Sequence, residues 1–246
     1  MVRQLTSRND EERSPFVGDV LYPDSDGKPM SDNTKQYLWI ALIKEGLEWL
    51  FAHDPNVFVA GDLLWYPVEG NNKIRIGPDV LVAFGRPKGH RGSYQQWKED
   101  NITPQVVFEV RSPGNTQTEM DVKQVFYDRC GVEEYYLYDP DKNDLSGWLR
   151  SGEQLEVINP INGWVSPRLG VRFDLSEELE IYRPDGQRFV TYVEMAQRAE
   201  QERLRAEQAQ SMLEQEQQRA EQERQRAERL AERLRAAGID PDEELR

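Results

Sequence analysis

The chain has 246 residues, enough for one medium-sized domain and an appendage, and 37% of them are hydrophobic. Its 31 Lys and Arg residues against 45 Asp and Glu residues give a net charge of −14, which excludes avid nonspecific binding of nucleic acid through a generally basic surface. The single cysteine, Cys130, excludes an intramolecular disulfide framework. Residues 1–16 lack the apolar segment of a secretory signal and no apolar run is long enough to span a bilayer, so we expect a cytoplasmic protein with no membrane segment.

The N-terminal part of the chain predicts a polar arm followed by a helix. Residues 1–33 are polar and rich in turn-forming residues. Residues 34–52 are apolar around most of a helical circumference, and Lys44, Glu45 and Glu48 share one narrow polar stripe. We therefore expect a helix that is buried on most sides.

The middle of the chain predicts a sheet interrupted by one helix. Short β-branched or aromatic segments bounded by Gly, Pro and Asn are typical of strands. They occur at residues 56–61, 62–68, 73–77, 79–85, 104–111 and 133–140. A helical pattern occupies residues 117–130, and residues 144–194 resemble β-hairpins that would pack on the main sheet. The order helix, strands, helix, strand indicates one α/β (α+β) domain over residues 34–194.

Two carboxylates stand in apolar, strand-like segments. Asp79 opens "DVLVAFG", and Glu109 lies near the end of "PQVVFEVR". If the two strands are neighbours in one sheet, the two side chains can converge on one edge. A buried carboxylate is costly unless it is compensated, and a divalent cation is a common compensation. The alternatives are a polar strand-start residue after Pro78 for Asp79, and a pair with Arg111 for Glu109.

A lysine follows the second carboxylate on the predicted helix. Lys123 and Tyr127 are four residues apart and therefore share one helix face. Hydrolysis of a phosphodiester needs a hard Lewis acid that neutralises phosphoryl charge and lowers the pKa of water. Asp79 and Glu109 would suffice for one Mg²⁺ with water and substrate as its other ligands, and a lysine there would position or deprotonate the attacking water. The alternative for Lys123 is a solvated helix lysine.

A basic segment lies between the two carboxylates. It contains Arg86, Lys88, His90, Arg91 and Lys98. We expect it to contact backbone phosphates, and the alternative is a polar surface loop. No other catalytic constellation is visible, because the chain has two histidines, no glycine-rich phosphate loop, no G-x-S-x-G motif and no cysteine pair.

The sequence predicts one long helix that begins near Tyr192 and ends near Ala237. Most of this helix lies in the C-terminal segment, residues 195–246. Its small and apolar residues recur every seven positions, at Ala199, Ala206, Leu213, Ala220, Ala227 and Leu234. This is one seam of a coiled coil, but the second seam is poor because half of its positions are glutamates. We expect a weak homodimer or a helix that docks on a partner protein, and the alternative is a lone helix supported by Glu–Arg pairs.

Three blocks of the sequence resemble those of a known family. "GPDVLVAFG", "VVFEVRSPGN" and "KQVFYDRCGVEEYYLYDP" are similar to the Uma family of restriction endonucleases, within the PD-(D/E)XK nuclease superfamily. The resemblance covers about residues 34–193, and the long C-terminal helix resembles an appendage of cyanobacterial members. It implies a restriction-endonuclease-like αβββαβ core, DNA as substrate, and Asp79 and Glu109 as ligands of Mg²⁺ or Mn²⁺.

The sequence departs from the superfamily pattern at the expected lysine. Arg111 occupies that position, and a guanidinium can bind phosphate but is a poor base. The resemblance indicates Lys123 as its replacement, with Arg111 and Tyr127 among the DNA contacts beside the basic segment. The superfamily often supplies a further ligand from the first helix, for which Glu45 is favoured over Glu48.

We therefore expect a metal-dependent endodeoxyribonuclease in which Asp79, Glu109 and Lys123 are catalytic. The net charge and the arginine departure favour a second hypothesis, an inactive nuclease-like scaffold that binds a protein partner through its C-terminal helix. A third hypothesis, a coiled-coil adaptor, is disfavoured by the poor second seam.

Overall fold

A computed structural model describes residues 20–27 and 29–238, and the chain divides into two units, Met1–Phe189 and Val190–Arg246. Most of the predicted N-terminal polar arm lies outside the described residues. Within the described part of the chain, no helix combines the length and the apolar character needed to cross a membrane.

The described residues form three helices, ten strands and a short 3-10 helix. The helices are α1 (Thr34–Leu50), α2 (Gln117–Arg129) and α3 (Tyr192–Ala236). The strands are β1 (Val57–Gly61), β2 (Trp65–Tyr66), β3 (Val80–Phe84), β4 (Tyr94–Gln95), β5 (Val106–Val110), β6 (Glu134–Asp139), β7 (Asp144–Ser151), β8 (Gln154–Val157), β9 (Arg172–Asp174) and β10 (Glu180–Tyr182). The 3-10 helix, Gln96–Lys98, follows β4.

The main sheet contains six strands in the order β1-β3-β5-β6-β7-β8. Strands β1, β3 and β5 are antiparallel, whereas β5 and β6 are parallel because α2 carries the chain back to the starting edge. With α1 in front, the order is αβββαβ, and the predicted mixed α/β fold is confirmed. The predicted long C-terminal helix is also present, as α3.

Several features of the strands differ from the predictions. Segment 62–68 forms only the two-residue strand β2, which pairs with the unpredicted β4 in a separate sheet. Segment 73–77 forms no strand, and only Ile76 makes an isolated bridge, to Trp65. The turn at Gly70, with φ of 81°, and the missing amide hydrogen of Pro78 limit pairing in this segment. In the predicted hairpin segment, β7 and β8 extend the main sheet, but β9 and β10 form a separate two-stranded sheet.

The main sheet separates two hydrophobic clusters, and β5 contributes to both. Val106, Phe108 and Val110 pack in the cluster that includes α1, whereas Val107 packs in the cluster that includes side chains of α2. Successive strand residues point to opposite faces of a sheet. Glu109 therefore points to the same face as Val107, the face that α2 covers.

Candidate active site

Asp79 immediately precedes β3, at the edge where β1, β3 and β5 meet. Gly61 at the end of β1 is paired with Val80 at the start of β3, so Asp79 lies beside the end of β1. Its Oδ2 accepts a hydrogen bond from the backbone N–H of Val110 at 2.6 Å. Only 8% of Asp79 is exposed. The carboxylate is therefore buried at a fixed position between two strands.

Glu109 is held from the other side by two residues of α2. Its Oε2 accepts a hydrogen bond from Lys123 Nζ at 2.6 Å, and its Oε1 accepts one from the Tyr127 hydroxyl at 2.5 Å. The two donors are one helical turn apart, as the sequence spacing predicts. Thr116 caps α2 and forms a reciprocal capping box with Glu119, which fixes where the helix begins.

The side chains of Asp79, Glu109 and Lys123 are close enough to influence one another electrostatically. Burial raises the pKa of Asp79 well above its usual range, and the charge of Glu109 raises it further. Burial by itself lowers the pKa of Lys123, but the charges of Glu109 and Asp79 outweigh burial and hold it above its ordinary value of 10.5. Lys123 is therefore protonated at neutral pH, so it can stabilise negative charge but is poorly suited to deprotonate water.

A cavity of about 760 Å³ opens beside Asp79, Glu109 and Lys123. It is lined by residues from the segments 24–26, 29–32, 62–64, 75–79 and 114–126. Its volume lies within the range of pockets that enclose small ligands. The two carboxylates and the lysine are thus part of the wall of this cavity.

Several charged residues of this cavity were not predicted from the sequence, among them Asp62 and Arg75. Asp62 follows β1 with a left-handed φ of 48°, and its N–H donates a hydrogen bond to the Asp79 carbonyl at 3.1 Å. Burial and the charge of Asp26 raise the pKa of Asp62. The antiparallel pairing of β1 and β3 could have predicted Asp62, because it brings the residue after β1 beside the residue before β3.

Metal binding at this group would depend on two carboxylates, those of Asp79 and Glu109. Within the described residues, no group of three or more His, Cys, Asp or Glu side chains is arranged to hold a metal ion. Asp79 and Glu109 remain as a pair of hard oxygen donors, and Mg²⁺ often binds through one or two carboxylates with water and substrate oxygens. The mutual repulsion of the two carboxylates favours a cation between them.

The structure does not bring Glu45 to this group. Glu45 lies on the solvent side of α1 and pairs with Lys44 at 3.0 Å. Lys44 also pairs with Glu48, the alternative candidate. Neither glutamate lines the cavity. The expectation that Glu45 is a metal ligand is therefore corrected, because α1 directs its polar stripe towards solvent.

The basic segment is also separate from the cavity, since Lys88, Arg91 and Lys98 are not among its lining residues. Arg91 pairs with Glu99 at 2.6 Å, and its guanidinium lies 3.8 Å from the centre of the Phe58 ring. Arg91 is therefore a packing residue in this structure. Lys88 and Lys98 are exposed to solvent.

Arg111 and Tyr127 are placed differently from the expected DNA contacts. Arg111 lies outside the cavity, where its Nη1 donates to Gln117 Oε1 at 3.2 Å and lies 3.9 Å from Asp139. Tyr127 is fully buried, with its ring stacked beside Trp65. A buried ring cannot contact DNA, so Tyr127 is corrected to a residue that positions Glu109.

Comparison with known proteins identifies the family of this chain. Residues 2–214 match the model of the Uma2 family, described as "Putative restriction endonuclease". A crystal structure of a "putative nuclease belonging to DUF820" from Anabaena variabilis ATCC 29413 aligns with a TM-score of 0.46 and 16% identity, over 61% of this chain and 82% of that chain. A search of curated proteins gives no match. Because the family model spans most of the sequence, the chain belongs to the Uma2 family.

Proposed function

We propose that this protein is a metal-dependent endonuclease that hydrolyses phosphodiester bonds in DNA. Membership of a family described as restriction endonucleases supports a nuclease. The observation that carries the proposal is the buried group in which Lys123 binds Glu109 at 2.6 Å beside the buried Asp79. This group combines hard oxygen donors with a fixed cation at the wall of a cavity.

In this proposal, Asp79 and Glu109 would hold Mg²⁺ or Mn²⁺. The ion would supply Lewis-acid stabilisation of the phosphoryl oxygens and a lowered pKa for bound water. The hydrogen bond from Val110 holds the carboxylate of Asp79 in place, and the Tyr127 hydroxyl holds that of Glu109. The Lys123 ammonium would stabilise the negative charge that develops on the phosphate during cleavage.

The test is cleavage of a supercoiled plasmid and of a single-stranded DNA circle by the purified protein with Mg²⁺, with Mn²⁺ and with EDTA. Glu109→Gln keeps the shape of the side chain but removes its charge, so we expect cleavage to fall by about 100-fold or more. Glu156→Gln is a matched control, because Glu156 is exposed on β8 and does not line the cavity. Equal cleavage by wild type and Glu109→Gln, or full cleavage in EDTA, would reject the proposal.

A role for α3 is proposed separately. No residue of this helix is buried, although Leu204, Leu213 and Leu230 are large apolar residues. We infer that α3 associates weakly with a second copy or with a partner protein through its Ala/Leu seam.

A further inference from the structure

We propose that the cavity of the candidate active site accepts an unpaired nucleobase next to the phosphate, so that the preferred substrate is single-stranded DNA. This inference rests on the proposed nuclease function and adds the substrate class. Its basis is that the lining of the cavity combines charged side chains, which we call the charged part, with apolar side chains, which we call the apolar part. The charged part includes Asp79, Glu109 and Lys123, and the apolar side chains carry no group that binds metal or phosphate.

Two residues of the apolar part belong to α2, the helix that carries Lys123. Val122 and Phe126 both line the cavity, and they share a helix face because they are four residues apart. Val122 is 63% exposed, and Phe126 is half-buried. The helix that supplies Lys123 therefore also supplies apolar side chains to the same cavity.

Leu64 and Ile76 also belong to the apolar part of the lining. Two backbone hydrogen bonds, of 2.7 and 3.1 Å, join Ile76 to Trp65, the residue that follows Leu64. The Trp65 ring also packs edge to face against Phe126, with ring centres 5.6 Å apart. The buried Trp65 thus contacts both Ile76 and Phe126 and holds them in place, and we call the apolar part of the lining the slot.

Double-stranded DNA cannot use such a slot without opening. In a duplex the base faces are stacked inside, and a protein meets only base edges and the backbone. An apolar wall inside a cavity of about 760 Å³ can contact a base face only after that base leaves the stack. Unstacking costs a few kcal/mol in a duplex and least in a single strand, so the slot favours the single strand.

The charge of the cavity favours the same substrate. Asp24, Asp26 and Asp32 line the cavity in addition to the two catalytic carboxylates. A duplex brings two phosphate backbones towards this negative region, with one charge per about 1.7 Å of axis, whereas a single strand brings one backbone. Repulsion therefore penalises the duplex more strongly.

The experiment compares binding and cleavage of one labelled oligonucleotide of about 15 nucleotides, single-stranded and annealed to its complement. Binding is measured by fluorescence anisotropy with Ca²⁺ as a non-catalytic ion, and cleavage is measured with Mn²⁺. We expect the wild-type protein to bind the single strand at least about tenfold more tightly than the duplex. The binding measurement does not depend on catalysis.

The variant Val122→Gln tests the slot itself, and Val125→Gln is its matched control. Both valines are exposed on α2, but only Val122 lines the cavity. We expect Val122→Gln to weaken binding of the single strand by about fivefold, because an apolar contact with the base is lost, and Val125→Gln to leave it within about twofold. Thermal unfolding of both variants verifies that the fold is retained.

The outcomes separate this inference from the proposed function. If single-strand binding is preferred and depends on Val122 but no form cleaves, the slot stands and the nuclease proposal fails. If the protein cleaves but treats duplex and single strand alike, or if both valine variants behave as wild type, the nuclease proposal stands and the slot is rejected.

Discussion

The carboxylate of Asp79 links stability to pH because its pKa differs between the folded and unfolded chain. In the unfolded chain its pKa is near 3.8, and in the folded protein burial and Glu109 raise it well above that value. Between these two values the folded protein keeps a proton that the unfolded chain has lost. The contribution of Asp79 to stability is therefore full below about 3.8 and is lost as pH rises through the folded pKa.

Asp79→Asn removes this titration and keeps an oxygen that can accept the hydrogen bond from Val110. In EDTA, we expect the free energy of unfolding of wild type to fall relative to that of Asp79→Asn as pH rises from about 4 to neutral. Urea unfolding at a series of pH values measures this difference. Two curves that stay parallel would show that Asp79 does not titrate as the structure indicates.

Lys123 is expected to act as a fixed charge, since the neighbouring carboxylates keep it protonated. Lys123→Met should lower cleavage by about 100-fold, whereas Lys123→Arg should retain a larger part of it. Lys123→Met should also destabilise the fold by about 2 kcal/mol, because Glu109 is 2% exposed and loses its cation. A Lys123→Arg variant as inactive as Lys123→Met would instead favour a proton-transfer role for the lysine.

Gly46 allows α1 to pack closely against the ring of Phe189. Replacement of glycine by alanine inside a helix normally stabilises it by up to about 1 kcal/mol. Here a Cβ atom at position 46 would lie 2.2 Å from the ring of Phe189. We therefore expect Gly46→Ala to destabilise the protein by about 1–3 kcal/mol, as measured by urea unfolding.

The double variant Gly46→Ala/Phe189→Ala is the control for this packing explanation. Alanine lacks the Cγ, Cδ2 and Cε2 atoms of Phe189 that the new methyl group would meet. The cost of the alanine at position 46 should therefore be smaller in the Phe189→Ala background than in wild type. Equal costs in both backgrounds would place the effect elsewhere in α1.

Local patterns predicted the parts of the site that depend on one element. The face shared by Lys123 and Tyr127 follows from helical periodicity, and the position of Glu109 in a buried strand follows from its apolar neighbours. The direction of Glu45 also agrees with a local pattern, because Lys44, Glu45 and Glu48 form the narrow polar stripe of the helix, which faces solvent. Glu45 was expected at the site because of the family resemblance, not because of this stripe.

Pairing between distant segments accounts for the other differences. Arg91 looked free in the sequence, but the chain returns Glu99 to it through the 3-10 helix Gln96–Lys98 that lies between them. Asp62 joins the cavity only through the antiparallel pairing of β1 with β3. Such contacts depend on tertiary geometry, which composition and periodicity do not contain.

Across the whole molecule, the acidic excess limits how the protein can bind DNA. The net charge is −14, and several arginines that could meet phosphate are paired with carboxylates, including Arg86, Arg150 and Arg168. Affinity that rests on lysine and arginine is therefore expected to be weak. A divalent cation held by Asp79 and Glu109 would supply the positive charge at the point where cleavage occurs.

The long helix α3 belongs to the second unit of the chain, Val190–Arg246. Both hydrophobic clusters consist of residues no later than Phe189, and α3 has no buried residue. A variant that ends at Val190 should therefore keep the free energy of unfolding of the first unit within about 0.5 kcal/mol and keep the cleavage activity. If α3 mediates self-association, the full-length protein should be larger than a monomer in sedimentation equilibrium. The truncated variant should have the mass of a monomer.

Single substitutions in the full chain distinguish association through the seam from a general effect of the tail. Leu213→Lys places a charge in the Ala/Leu seam, whereas Gln215→Lys places the same charge on another side of the same turn. We expect the first to abolish self-association and the second to leave it unchanged. If both variants and the wild type are monomeric at the same concentrations, α3 does not pair with a second copy. The Ala/Leu seam would then bind a partner of different sequence, or α3 would be a lone helix stabilised by pairs such as Arg203 with Glu207.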